Sequence, residues 1–237
     1  MDENLEIRLQ RAASWIKLAG NLEKSIGERR EVLGPPALPR WAREHELFVF
    51  YWIAFNALYG VESEKERPKI EDFLDNVETM AEREEAEGIS TFKEAIQDCL
   101  NDGVTVIRDK FLDEDYWKNR KSESEVVEDC MARCERAKNA VAKGSCRFFL
   151  SAVFGHLRIL RNQIMHGSAS HGLDSKGYKD SVLPGLRTLR ILVPAFFNLT
   201  KKHGACPALK WDKVPFPRYG SKSHPRKSLV RVINGAD

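Results

Sequence analysis

Cysteine is scarce in this 237-residue chain, and its count of five (Cys99, Cys130, Cys134, Cys146 and Cys206) is odd. An odd, sparse set behind an N-terminus that reads Met1-Asp2-Glu3-Asn4, without a basic-then-apolar leader, argues against a secreted disulfide framework. Long apolar runs are also missing. The longest, Leu47 to Tyr59, contains Asn56 and is too short to span a bilayer. No internal repeat is visible, and no segment alternates apolar and polar residues between hairpin turns. Gly-x-Ser-x-Gly, His-Glu-x-x-His and a phosphate-cradling glycine loop are all absent, which lowers the odds of an activated-nucleophile or metal hydrolase without eliminating a new kind of site. Cys130 and Cys134 can share a helical face, but two further metal ligands at a fitting spacing are not apparent, so ordinary thiols are the expectation. These absences describe a soluble, cytoplasmic protein with no membrane association, no metal and no cofactor.

What is present begins with an ordinary globular balance, 42% hydrophobic and 31% charged residues. The length suits one large domain or two small ones and needs no staple. Charge is unevenly placed. Residues 201–237 hold nine Lys/Arg against Asp212 and Asp237, a net +7, while the preceding 200 residues carry −4. An acidic body with a basic tail suits an anionic partner, nucleic acid above all, although a tail that only aids solubility has the same composition. Trp211, Phe216 and Tyr219 in that tail can stack on bases or pack back on the body.

The body reads as all-α, a helical bundle over residues 1–200 followed by a loop-rich basic tail over 201–237. Leu5, Leu9, Ala12, Ile16, Ala19, Leu22 and Ile26 recur at spacings of three and four, an amphipathic helix within 1–34 that Gly34-Pro35-Pro36 breaks. A second helix is expected over Arg40–Tyr59, apolar on nearly all sides and therefore central, with Gly60 able to end it. Pro68 suits the first turn of a third helix. A fourth lies near Thr91–Asn101. The β-branched stretch Val104–Lys110 is ambiguous and fits a short helix or helix-like turn. A polar helix is expected over Lys121–Gly144 and an apolar one over Ser145–His166. The last long helix, about Lys176–Lys202, holds Pro184 and Pro194, which are expected to kink or split it.

The chemistry concentrates in Leu157-Arg-Ile-Leu-Arg-Asn-Gln-Ile-Met-His-Gly167. Projected at about 100° per residue, Phe148, Phe149, Leu150, Ala152, Val153, Leu157, Ile159, Leu160 and Ile164 form one apolar arc. Arg158, Arg161, Asn162 and His166 lie opposite, with Phe154 and Met165 among them. Asn162 and His166 are one turn apart, close enough for the amide to orient the imidazole. Arg161 and His166 sit about 140° apart around the axis, so one helix does not easily aim both at a single phosphate. Two copies facing across a dimer axis can, and the apolar Phe154 and Met165 suit such an interface. Arg-x4-His alone is a weak signal: 20 Arg and 6 His make a chance copy easy, and Arg40…His45 is a second one. The 161–166 copy differs in closing an apolar helix, in its Asn second position, and in preceding a glycine and the segment Ser168-Ala169-Ser170-His171-Gly172.

This arrangement resembles the HEPN family, helical domains of many prokaryotic ribonuclease toxins and defence proteins, whose signature is Arg, a polar residue, and His four to six positions beyond the Arg. Phe50-Tyr51-Trp52-Ile53-Ala54-Phe55-Asn56-Ala57-Leu58-Tyr59-Gly60 also looks like the early core helix of the family branch named after ApeA. The resemblance covers roughly residues 40–200. It implies metal-independent cleavage of RNA by a homodimer, with an antitoxin or defence partner protein possible. Arg161, Asn162 and His166 would be the catalytic residues. Beside the resemblance, Arg158 is a candidate RNA contact, as is His171 in the loop beyond the site, where a merely solvated position suits it better, and Asn56 is a candidate supporting amide. Asn56 is expected to be buried on its apolar helix, where it needs hydrogen-bond partners. A non-catalytic HEPN-like module that binds RNA, nucleotide or protein is the competing expectation.

Overall fold

The computed structural model describes residues 3–33, 40–60, 66–166, 181–209 and 211. Every regular element among them is helical. They are α1 (Glu3–Leu33), α2 (Arg40–Tyr59), α3 (Glu66–Ala86), α4 (Thr91–Arg108), a 3-10 turn at Lys110–Leu112, α5 (Glu114–Trp117), α6 (Glu123–Ala142), α7 (Arg147–Met165) and α8 (Leu183–His203). The chain is therefore all-α over the described residues, and no helix there is long and apolar enough to cross a membrane. His171 and the tail beyond Trp211 lie outside the described residues, as does the expected start of the last helix at Lys176.

Helix α2 lies between α1, α7 and α8, and α8 touches each of α1 to α4. Leu47, Phe48, Tyr51, Trp52, Ala54, Phe55, Leu58 and Tyr59 of α2 are all buried. Phe55 packs against Phe154 of α7 with ring centroids 4.3 Å apart and planes tilted by 34°. Phe196 of α8 adds to the same group, 5.5 Å from Phe154 and 5.8 Å from Phe55. Each such ring contributes about 1.5–3 kcal/mol by leaving water. Helix α1 is fastened to the end of α2 by Arg8, which is 1% exposed and donates from Nη1 to the carbonyls of Leu58 (3.0 Å) and Gly60 (2.7 Å). A cation there also complements the negative end of the helix dipole.

Helix α7 is gripped closely from two sides. A Cβ at Gly103 of α4 would lie 2.5 Å from Phe149 Cζ, and one at Gly185 of α8 would lie 2.9 Å from Leu160 Cδ2. Only glycine lets those backbones approach so near.

Three expectations need correction. The ambiguous stretch Val104–Lys110 is helical as far as Arg108, as expected, but not a separate helix: α4 runs unbroken to that residue, because Val104, Val106 and Ile107 are buried and burial outweighs β-branched propensity. Pro184 does not interrupt a helix either. It stands in the first turn of α8, where a missing N–H is tolerated, and the helix continues through Pro194. Phe154 was expected on the polar face, as interface material, yet it is fully buried. It sits three residues before Leu157 and four after Leu150, so it stacks along their row rather than opposite it.

Candidate functional site

Arg161 shares that buried row, four residues beyond Leu157, and emerges at its edge. Its side chain is 25% exposed and ion-paired to Glu66, the first residue of α3. Its guanidinium carbon lies over the Trp52 ring, 5.3 Å from the centroid. Glu66 is itself fixed, because the Tyr59 hydroxyl donates to its Oε1 at 2.7 Å. Burial, and then the Glu66 carboxylate, push the Tyr59 phenol well above its ordinary value, so it remains a donor. Two residues of α2 and one of α3 thus hold Arg161 in place. Its Nε is buried without a hydrogen-bond partner among the described residues.

Arg158, one turn earlier, is paired with Glu114. That carboxylate also takes Lys118 at 3.0 Å, with Arg67 at 3.9 Å. Burial would raise the Glu114 carboxyl, but Lys118 and Arg158 hold it below its usual range.

His166 caps the C-terminus of α7, its backbone N–H donating to the Asn162 carbonyl at 3.0 Å. The residue is exposed, and Asn162 is half-buried. Among the described residues the Asn162 amide makes no hydrogen bond to the imidazole, so the expected orienting contact is absent from this arrangement. Arg161 and His166 diverge around the helix as their spacing requires.

Asn56 corrects the remaining expectation. It is exposed, because α2 keeps one open stripe through Glu46, Val49, Ile53 and Asn56 at spacings of three and four. It needs no buried partner.

Sequence reasoning missed three features. Glu66 and Tyr59, the partners that set Arg161, come from 95 and 102 residues earlier in the chain. An exposed aromatic group borders the end of α7: Phe111 is 45% and Trp117 57% exposed, and Tyr116 meets both edge-on. Gln163 ties it to α7 by donating to the Phe111 carbonyl at 2.8 Å. The signal was three aromatics within Phe111–Trp117. Finally, a cleft of about 610 Å³ opens beside α5, α6 and α7. Of the candidate residues it includes only Arg158, and neither Arg161 nor His166 lines it.

Chemically, the end of α7 offers an anchored cation able to grip phosphate oxygens and, apart from it, a solvent-facing imidazole able to move a proton. Comparison of the chain with family models, with curated proteins and with solved structures returns no match.

Proposed function

We propose that this chain is a HEPN-type, metal-independent endoribonuclease that acts as a homodimer in the cytoplasm, in toxin activity or antiviral defence. The reading rests on the resemblance of Arg161-Asn162-x3-His166 to the family signature. The observation that carries it is the pairing of a rigidly held Arg161 with an exposed His166 at one helix end.

In this reading His166 takes the proton from a ribose 2′-hydroxyl, which attacks the adjacent phosphorus. Arg161 offsets the charge that builds on the phosphate oxygens. The 5′-oxygen leaves and takes up a proton from the protonated imidazole or from solvent, giving a 2′,3′-cyclic phosphate and a 5′-hydroxyl. A second copy supplies the facing Arg161 or His166 that one helix cannot. Exposed Met165, Phe111 and Trp117 offer apolar surface for it at the same end of α7. Arg158 adds phosphate affinity, and the basic tail, with His171, adds RNA contacts.

A non-catalytic binding module is the second reading. It is favoured by one observation: both guanidiniums, Arg158 and Arg161, already hold carboxylates.

The test is to incubate purified protein with single-stranded RNA in EDTA beside His166→Ala and Arg161→Ala. Cleavage to cyclic-phosphate ends, lost in both variants while His166→Ala keeps its melting temperature, is the expected result. Cleavage that both variants retain refutes the site. Salt-dependent RNA affinity without product selects the binding module.

A further inference from the structure

Asp113, Cys130 and His156 form a buried cluster away from Arg161 and His166, and their potential ligand atoms lie within 4.8 Å of one another. We propose that this cluster is a binding site for a zinc-class divalent cation, with one coordination position facing the 610 Å³ cleft that Asp113 and His156 line.

The elements prepare each ligand. Asp113 caps α5, its Oδ1 accepting from the Asp115 N–H at 2.8 Å, while Oδ2 points to a second partner. His156 is 4% exposed, and its Nδ1 faces the Ala152 carbonyl at 2.9 Å. That contact makes Nδ1 the donor and leaves a lone pair on Nε2, the tautomer and orientation that outer contacts impose on metal-binding histidines. Cys130 enters from α6, where it is buried, and does not line the cleft. Thiolate, imidazole and carboxylate together suit a borderline-soft ion, and three protein ligands with one open position is a familiar zinc arrangement.

Arg133 now takes the place of the ion. Its Nη1 donates to Asp113 Oδ2 at 2.9 Å and lies 3.3 Å from His156 Nε2. The charges explain how the two cations exchange. Without an ion, the guanidinium balances Asp113 and Cys130 stays a thiol. With a divalent ion, the Cys130 proton goes to solvent, thiolate and carboxylate balance the ion, and the guanidinium swings into the cleft. Arg133 lines that cleft and its side chain is 29% exposed, so it has somewhere to go. Bonds of about 2.0–2.3 Å require ligand atoms about 3.5 Å apart, a contraction of about 1.3 Å at most from the 4.8 Å limit seen.

This site takes no part in the RNA chemistry proposed above, and its readout is spectroscopic, so the two readings fail independently. Untagged full-length protein, stripped with chelator and kept reduced, is titrated with Co²⁺. One ion per chain is expected, with a near-ultraviolet thiolate-to-cobalt band and visible bands of tetrahedral cobalt, both bleached by stoichiometric Zn²⁺. Cys130→Ala should abolish the thiolate band and Cys134→Ala should keep it. Arg133→Met, which removes the competitor and leaves the Asp113 carboxylate unpaired, should bind Co²⁺ about tenfold more tightly. No thiolate band in the parent protein, a band that survives Cys130→Ala, or unchanged or weaker binding by Arg133→Met would each overturn the proposal. Should Cys130→Ala not fold, the parent spectrum and the Arg133→Met affinity decide it.

Discussion

Glu66 is the joint through which α2 and α3 fix Arg161, and its removal has a calculable cost. In Glu66→Ala the Tyr59 hydroxyl, on a residue only 6% exposed, loses its acceptor. A buried donor left unsatisfied costs about 1–3 kcal/mol. The lost pair with Arg161 adds about 1 kcal/mol, since side chains 25% and 30% exposed stand between a surface and a buried pair. The sum is about 3 kcal/mol. Tyr59→Phe alone should cost about 1 kcal/mol, because Glu66 keeps Arg161. In the double variant no hydroxyl remains to be orphaned, so the two costs do not add. A double-mutant cycle from urea denaturation should therefore show a coupling of about 1–2 kcal/mol. A coupling below about 0.5 kcal/mol would mean that the Tyr59–Glu66 contact does not anchor Arg161, and the reasoning fails.

Gly103→Val should destabilise by about 2 kcal/mol or more in thermal melts, since even the first carbon meets the Phe149 ring; a neutral change would refute the close approach. Ser122→Ala breaks the capping box that starts α6 by removing the Oγ that accepts from the Glu125 N–H at 3.4 Å, and should cost about 1 kcal/mol. Equal stability in urea would discount the cap. The Tyr51 phenol is pushed up to about 12 by burial and then by Glu23. Its folded pKa exceeds its unfolded one, so its contribution to stability is intact below about pH 10 and is lost as pH rises from there through 12. Tyr51→Phe should delete a phenol that ionises near pH 12 in a spectrophotometric titration; deletion of one that ionises near pH 10 contradicts this.

The two helices that carry the candidate residues were legible because their patterns are local. Arg40 to Tyr59 was bounded by proline before and glycine after, and the end of α7 was marked by Gly167. Pairings across the chain were not legible. Glu66 looks like one more acid in a charged stretch until α3 brings it to Arg161. Asp113, Cys130 and His156 come from α6, α7 and the cap of α5, at spacings that match no metal motif. The Cys130–Cys134 pair, which periodicity does pick out, divides its partners: Cys130 joins Asp113 and His156, whereas Cys134 donates to the Val104 carbonyl at 3.5 Å. Asn56 and Phe154 were assigned to the wrong side for a shared reason. A helical projection gives the angle between residues, but the neighbours decide which arc is covered, and α2 has a gap where α7 does not.

The grip of α4 and α8 on α7 has a consequence for how this chain can drift. With Gly103 and Gly185 seated against Phe149 and Leu160, α7 can neither roll nor slide to absorb a change in its length. A single residue inserted between Leu160 and Arg161 would turn everything after it by about 100° and carry the guanidinium off Glu66. A single substitution on α7 is felt at one position, whereas an insertion or deletion is felt by every residue beyond it.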